Sequence, residues 1–185
     1  MATSTTQMHP LKRSWVLWAH YPRDPNWDES SYLEICTMKT MEEVISVMLT
    51  LPSQSICAGM YFIMRKGIFP KWEDPANASG GAFSYRVTHK LVAQTWRELA
   101  YMVMGESITS SQKLNHNITG ITVSPKNNSS VIKVWVSDCT IQEPTLISNE
   151  VKGLSSNGCM FKRHIPLGTT PSIVATYPIN NKKGQ

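Results

Sequence analysis

Apolar positions along the chain follow two different periods. Over residues 40–51, Met41, Val44, Ile45, Met48 and Leu49 recur at the spacing of one helical face. Thr40 followed three residues later by Glu43 forms a capping box, and Pro52 ends the segment. Residues 91–104 predict a second long helix, closed by Gly105 at the position where a left-handed glycine is expected. Short aromatic or β-branched runs at 14–20, 32–38, 59–66, 82–87, 118–124, 131–137, 160–165 and 172–177 predict strands. Pro125-Lys126-Asn127-Asn128 has the turn chemistry to join two of them into a hairpin. Pro144 at a first helical position predicts a shorter helix ending near Gly153.

Strands and helices in this order make an α+β pattern. The economical solution is an antiparallel sheet of about eight strands with helices on one face, the other face left free to bind. No internal repeat breaks the chain, so a single domain is expected over residues 14–178. It is flanked by a flexible arm, 1–13, and a short basic tail, 179–185.

Composition narrows the setting. No run of 18 apolar residues exists and residues 1–13 are polar, so neither a membrane span nor a secretory signal is expected. Cys36, Cys57, Cys139 and Cys159 are isolated and out of metal-ligand spacing, which suits reduced, packed thiols in a cytoplasmic protein, with some nuclear presence allowed. The charge is uneven: residues 1–75 carry seven basic and eight acidic groups, and residues 76–185 carry eleven and five. A basic second half suits an anionic partner on one side, and equally a solubilising excess of Lys.

The enzyme signatures of phosphate loops, dinucleotide folds, zinc proteases and serine hydrolases are absent. No metal or cofactor is expected. Glu73 and Asp74 are adjacent, and neighbours on extended chain point apart, which is poor for a facing acid–base pair. Trp27 and Trp72 stand in polar, proline-containing loops where no apolar period requires them. They either cap an edge of the core or stack a flat ligand, and a stacked base gains about 1–3 kcal/mol per aromatic face. Glu73 beside Trp72 could accept two N–H donors from a guanine edge. A carboxylate-dependent hydrolase of nucleotides, using Glu73, is the alternative from another class.

The ordered series Trp15-x-x-Trp18, Trp27, Gly67-Ile68-x-Pro70-x-Trp72-Glu73-Asp74, Gly80-Gly81, Trp96, Gly105-Glu106-Ser107 and Trp135 resembles the translation initiation factor 4E family, which binds the 7-methylguanosine cap of mRNA. The likeness runs from His9 to about Tyr177. It implies a curved antiparallel sheet backed by helices, with the cap in the concave face. It assigns Trp27 and Trp72 to the stacking sandwich, Glu73 to the guanine edge and Trp135 to the N7 methyl. It also implies a monomer that recruits translation machinery, or competes as a repressor, by binding a 4G-type scaffold or 4E-binding repressor on its helical side.

Two regions depart from that pattern. Lys126 matches a basic phosphate-holding position, but Ala82 stands where an Arg is expected and Val131 where a second Lys is expected. Lys133, on the same strand face as Trp135, is the substitute, with Lys182 and Lys183 of the tail as auxiliaries. The family's C-terminal loop and last strand are shortened, ending at Gln185. On the partner face, His9, Pro10, Met41, Glu98 and Gly105 match. Ile45 takes the place of a tryptophan there and fits the buried helix stripe equally well, while Arg97 and Tyr101 replace aliphatic residues.

Overall fold

The computed structural model describes residues 8–164 and the strand at 173–176. Residues 1–7 of the expected arm and the whole tail, Lys182 and Lys183 included, lie outside the described residues. Eight strands form one curved sheet: β1 (Pro10–His20), β2 (Tyr32–Thr40), β3 (Met60–Arg65), β4 (Gly81–Thr88), β5 (Ile118–Lys126), β6 (Ser129–Val136), β7 (Met160–Arg163) and β8 (Ile173–Thr176). Their order is β2-β1-β3-β5-β6-β4-β7-β8, and neighbours are antiparallel. Part of the expected arm lies in the sheet. Pro10 to Arg13 belong to β1, with Pro10 paired to Thr40.

The helices α1 (Met41–Thr50), α2 (Ser53–Ala58) and α4 (Val92–Met104) pack together on the convex face, with α5 (Gln112–Asn117) leading into β5. The expected capping box starts α1: the Glu43 N–H donates to the Thr40 hydroxyl at 3.3 Å, and the Thr40 N–H donates to the Glu43 carboxylate at 3.1 Å. The apolar stripe is narrower than its spacing implied. Val44 and Met48 are fully buried, whereas Ile45 is 42% and Leu49 70% exposed. Arg97 of α4 closes the far end of α1, donating Nε to the Met48 carbonyl and Nη2 to the Leu51 carbonyl, each at 2.8 Å. Helix ends leave such carbonyls unpaired and carry negative partial charge, so a guanidinium suits both needs.

The end of α4 corrects the glycine expectation. Gly105 has φ −81°, and the left-handed residue is Glu106 at φ +55°. The Glu106 N–H donates to the Val103 carbonyl at 3.2 Å and the Ser107 N–H to the Met102 carbonyl at 2.8 Å, the paired closure that satisfies two terminal carbonyls. Lys12 Nζ at 2.8 Å from the Glu106 carboxylate helps hold this unfavourable conformation. Gly105 is glycine for space: a Cβ there would lie 2.9 Å from the Tyr101 carbonyl and 3.2 Å from Met41 Cε. The helix expected over 144–153 is only a single 3-10 turn, Pro144–Leu146, although Ile147, Val151 and Leu154 after it are buried.

Strand parity divides the buried side chains. Trp15, Leu17, Ile63, Phe83, Ile132 and Val134 join the main core under the helices. Their alternating neighbours Trp18, Phe62, Met64, Ala82 and Trp135 form a second apolar cluster on the opposite face.

Candidate ligand slot on the concave face

That second cluster floors a slot of 270 Å³ walled by Trp27, Trp72, Glu73, Lys71, Lys133 and Trp135. Five residues singled out in the sequence therefore meet in one cleft. Lys126 sits outside it, at the end of β5 and close enough to Lys133 to act on its charge.

Trp27 is carried by the loop between β1 and β2. Asn26 N–H donates to Asp24 Oδ1 at 2.9 Å and Asp28 N–H to Asn26 Oδ1 at 2.8 Å, so two local side-chain turns shape the segment. The tie to the sheet is His20, which is 2% exposed. Its ring lies parallel to the Trp27 indole, centroids 4.2 Å apart, and its Nε2–H donates to the Asn26 carbonyl at 2.8 Å. Trp27 itself stays 49% exposed, one indole face covered by His20.

Trp72 and Glu73 are braced from behind. Asp74 accepts from the Phe69 N–H at 2.9 Å and from the Ala76 N–H at 2.8 Å, capping the short α3 (Pro75–Ala78). Asn77 is wholly buried and donates Nδ2 to the Phe69 carbonyl at 3.2 Å and the Lys71 carbonyl at 2.8 Å. The adjacent carboxylates thus take separate tasks: Asp74 holds the loop and Glu73 faces the slot. Trp135, 6% exposed, donates its indole N–H to Thr122 Oγ1 at 2.6 Å, so the neighbouring strand fixes its ring. His164 packs against that ring at 4.7 Å and donates Nδ1–H to the Asn77 carbonyl at 2.9 Å.

Charge around the slot is lopsided. Among the described residues Lys126, Lys133, Lys162 and Arg163 form no ion pair. Burial lowers the Lys133 ammonium below its ordinary pKa, with further lowering by Lys162 and Lys126. Burial also lowers His164, partly opposed by its bond to Asn77. Burial and the Glu73 charge together push the Tyr32 hydroxyl in the slot floor to about 12. The residues missed from sequence are His20, Lys162 and His164. Lys162 lies directly across from Ala82 in the β4–β7 register, a placement no local motif reveals.

On the helical side, five of the seven expected partner-face residues meet where α1 begins and α4 ends. His9 docks on α1 through Glu42, with Nδ1 to Oε1 at 2.6 Å, and the Met41 N–H donates to the His9 carbonyl at 2.9 Å. Pro10 follows in β1, and Gly105 lies against Met41 and Tyr101. Ile45 stands exposed further along α1, not in the core. Glu98 is engaged internally, accepting from the Lys152 N–H at 2.9 Å.

Fold and slot together define a curved antiparallel sheet with an aromatic-walled cleft on its concave face. A sequence model described as eukaryotic initiation factor 4E matches residues 10–165, and the chain belongs to that family. Eukaryotic translation initiation factor 4E-2 of Schizosaccharomyces pombe is 30% identical over 162 residues, covering 83% of this chain and 65% of that protein. The initiation factor 4E homolog of Acanthamoeba polyphaga mimivirus is 29% identical over 135 residues, covering 62% and 50%. The chain thus spans less than two thirds of the length of these relatives. Among solved structures, C. elegans initiation factor 4E-3 with the 4E-binding protein Mextli and cap analog matches at TM-score 0.63 and 26% identity, over 72% of this chain and 77% of that one. Ascaris suum initiation factor 4E-3 with m7G cap matches in fold at TM-score 0.74 and 20% identity, over 90% and 97%.

Proposed function

We propose that the slot holds the 7-methylguanosine cap of mRNA and that the helical face links it to the translation initiation machinery. The observation that carries this is the meeting of Trp27, Trp72 and Glu73 around one cleft. Methylation at N7 gives the guanine ring a delocalised positive charge, which two indole faces attract and one carboxylate neutralises. Glu73 accepts from the guanine N1–H and N2 amino group, and Trp135 lies against the methyl. Lys126 and Lys133 hold the phosphates, joined by Lys162. A scaffold of the 4G type, or a 4E-binding repressor, docks over His9, Pro10, Met41, Tyr101 and Gly105, with Ile45 as an apolar contact. A protein that serves translation through mRNA caps belongs in the cytoplasm on this reading. Among the described residues no helix is long and apolar enough to cross a membrane.

The test is a tryptophan-fluorescence titration with 7-methyl-GTP and with GTP. The methylated nucleotide binds at least about tenfold tighter if the cationic ring is what the indoles select. Equal affinities sink the reading.

A further inference from the structure

A separate cavity of 480 Å³ opens between the start of β1 and the connection from α4 to α5. Lys12, Arg13, Glu106, Ser110, Gln112 and His116 line it, and it shares no residue with the slot. Behind it stands Arg65 of β3, which has the strand parity of Ile63 and so faces the helical side of the sheet. Its guanidinium lies 5.6 Å from the centroid of the Trp15 ring in the main core.

Positive charge gathers here without being neutralised. Arg65 is 8% exposed, and its two Nη groups donate to the His116 carbonyl at 2.6 Å and to the Asn115 carbonyl. Those bonds bring no negative charge, although a buried charge is ordinarily paired. Burial and the nearby charge of Arg13 lower Arg65 to about 10, with Glu106 opposing. Arg13 has no ion pair among the described residues, and its Nη2 donates to His116 Nδ1 at 2.8 Å. A guanidinium cannot accept, so that bond puts the His116 proton on Nε2 and leaves one more donor. The one acid in the lining, Glu106, is already bonded to Lys12 at 2.8 Å.

The wall therefore offers the Arg13 fork, the His116 Nε2–H, the Ser110 hydroxyl and the Gln112 amide to an anion. A nucleic acid would find no Trp, Tyr or Phe in the lining on which to stack a base. A free phosphate would set its concentrated double charge against Glu106. Carboxylates on a peptide are singly charged and spaced apart, and they match the guanidinium fork. The cavity also adjoins the helical docking face. Lys12 follows Pro10 by two residues and Glu106 follows Gly105 directly, and Pro10 and Gly105 both belong to that face.

Resting on the docking reading of the helical face, we infer that this cavity takes an acidic stretch of the docking partner. The chain thereby selects a partner in which Asp or Glu residues flank the docked segment.

The experiment uses the full chain and synthetic peptides carrying a 4E-binding repressor segment, extended at each end in turn by three Glu, three Ser or three Lys. Wild type binds one Glu-extended peptide about fivefold tighter than its Ser-extended counterpart, the sum of one or two partly exposed charge pairs. The Lys-extended peptide binds more weakly than the Ser-extended one. Arg13→Glu reverses that order, which a merely structural role of Arg13 would not do. Arg13→Gln keeps a donor for His116, guards against misfolding of the glutamate variant, and abolishes most of the gain. Backbone NMR signals of Lys12, Arg13 and Ser110 shift with the Glu extension and not with inorganic phosphate. A response to phosphate without one to the Glu extension makes this a small-anion site and overturns the inference. Equal binding of the three extensions overturns the acidic stretch and leaves the docking face standing, as does a Glu preference unchanged in both folded variants. Failure of every peptide to bind ends the docking reading and the acidic stretch with it.

Discussion

The His20 imidazole lies face to face with the Trp27 indole, 4.2 Å between centroids and 5° between planes. A residue buried in a strand thereby sets the plane of an exposed loop tryptophan. Aromatic pairs contribute about 0.5–1.5 kcal/mol beyond area burial, so His20→Ala should weaken cap-analogue binding severalfold, while His20→Phe keeps most of it. In a Trp27→Ala background the loss from His20→Ala should vanish, because the support has nothing left to support. An additive loss in that double-mutant cycle refutes the coupling.

The two tryptophans should separate when stability is measured beside binding. Each loses about 1–3 kcal/mol of stacking when changed to alanine. Trp27, 49% exposed, contributes little to folding, whereas Trp72 packs onto the second apolar cluster. Trp72→Ala should therefore lower the melting temperature and Trp27→Ala should not. Glu73→Gln should narrow the gap between methylated and unmethylated GTP, since it removes the charge that answers the cationic ring.

Phosphate binding should be spread over three strands. Changing Lys126 and Lys133 to Ala should weaken 7-methyl-GTP binding, barely affect the uncharged 7-methylguanosine nucleoside, and flatten the salt dependence. Adding Lys162→Ala should flatten it further. Titrations at two salt concentrations check this, and an unchanged slope in the triple variant moves the phosphates elsewhere.

Asn77 should matter to both folding and binding. Its loss removes two side-chain hydrogen bonds, to the Phe69 and Lys71 carbonyls, which each keep one backbone donor, at a net cost of about 0.5–1.5 kcal/mol per bond. Denaturant unfolding of Asn77→Ala should show that loss, and the slackened Trp72 loop should bind 7-methyl-GTP more weakly. Unchanged affinity in a folded variant would free the loop from this brace.

The docking of His9 on α1 should depend on acid. Hydrogen bonds from the His9 side chain and backbone hold the Glu42 carboxyl at about 2, below its ordinary 4.5. Because the folded value is depressed, the contribution is complete above the ordinary value and disappears as pH falls through about 2. An NMR titration of the Glu42 side chain checks this, and a midpoint near 4.5 removes the pairing. Glu42→Gln should loosen His9 at neutral pH.

Much of the sheet and the two long helices was legible because their signals are local: alternation in β6, the capping box at Thr40, the apolar period of α4. The elements that escaped are short. Ser53–Ala58 and Gln112–Asn117 span less than two turns, too few for a period to show. Pro144 signalled a helix start correctly, but Ile147, Val151 and Leu154 reach the core from turns instead of a helix face. In the slot, Trp27, Trp72 and Glu73 stood out because no core needed them. Lys162 did not, since its value depends on the strand opposite it, and His20 read as an ordinary strand residue.

Strand β6 sends Ile132, Val134 and Val136 to the helices, and Lys133 and Trp135 to the slot. Two messages are interleaved in one stretch of chain, odd letters for the ligand and even letters for the scaffold. The ligand letters can be rewritten without repacking the core, so ligand preference is free to change while the fold stays. The same insulation has a converse. A nucleotide arriving on one side is invisible to a protein on the other unless the sheet between them changes its shape.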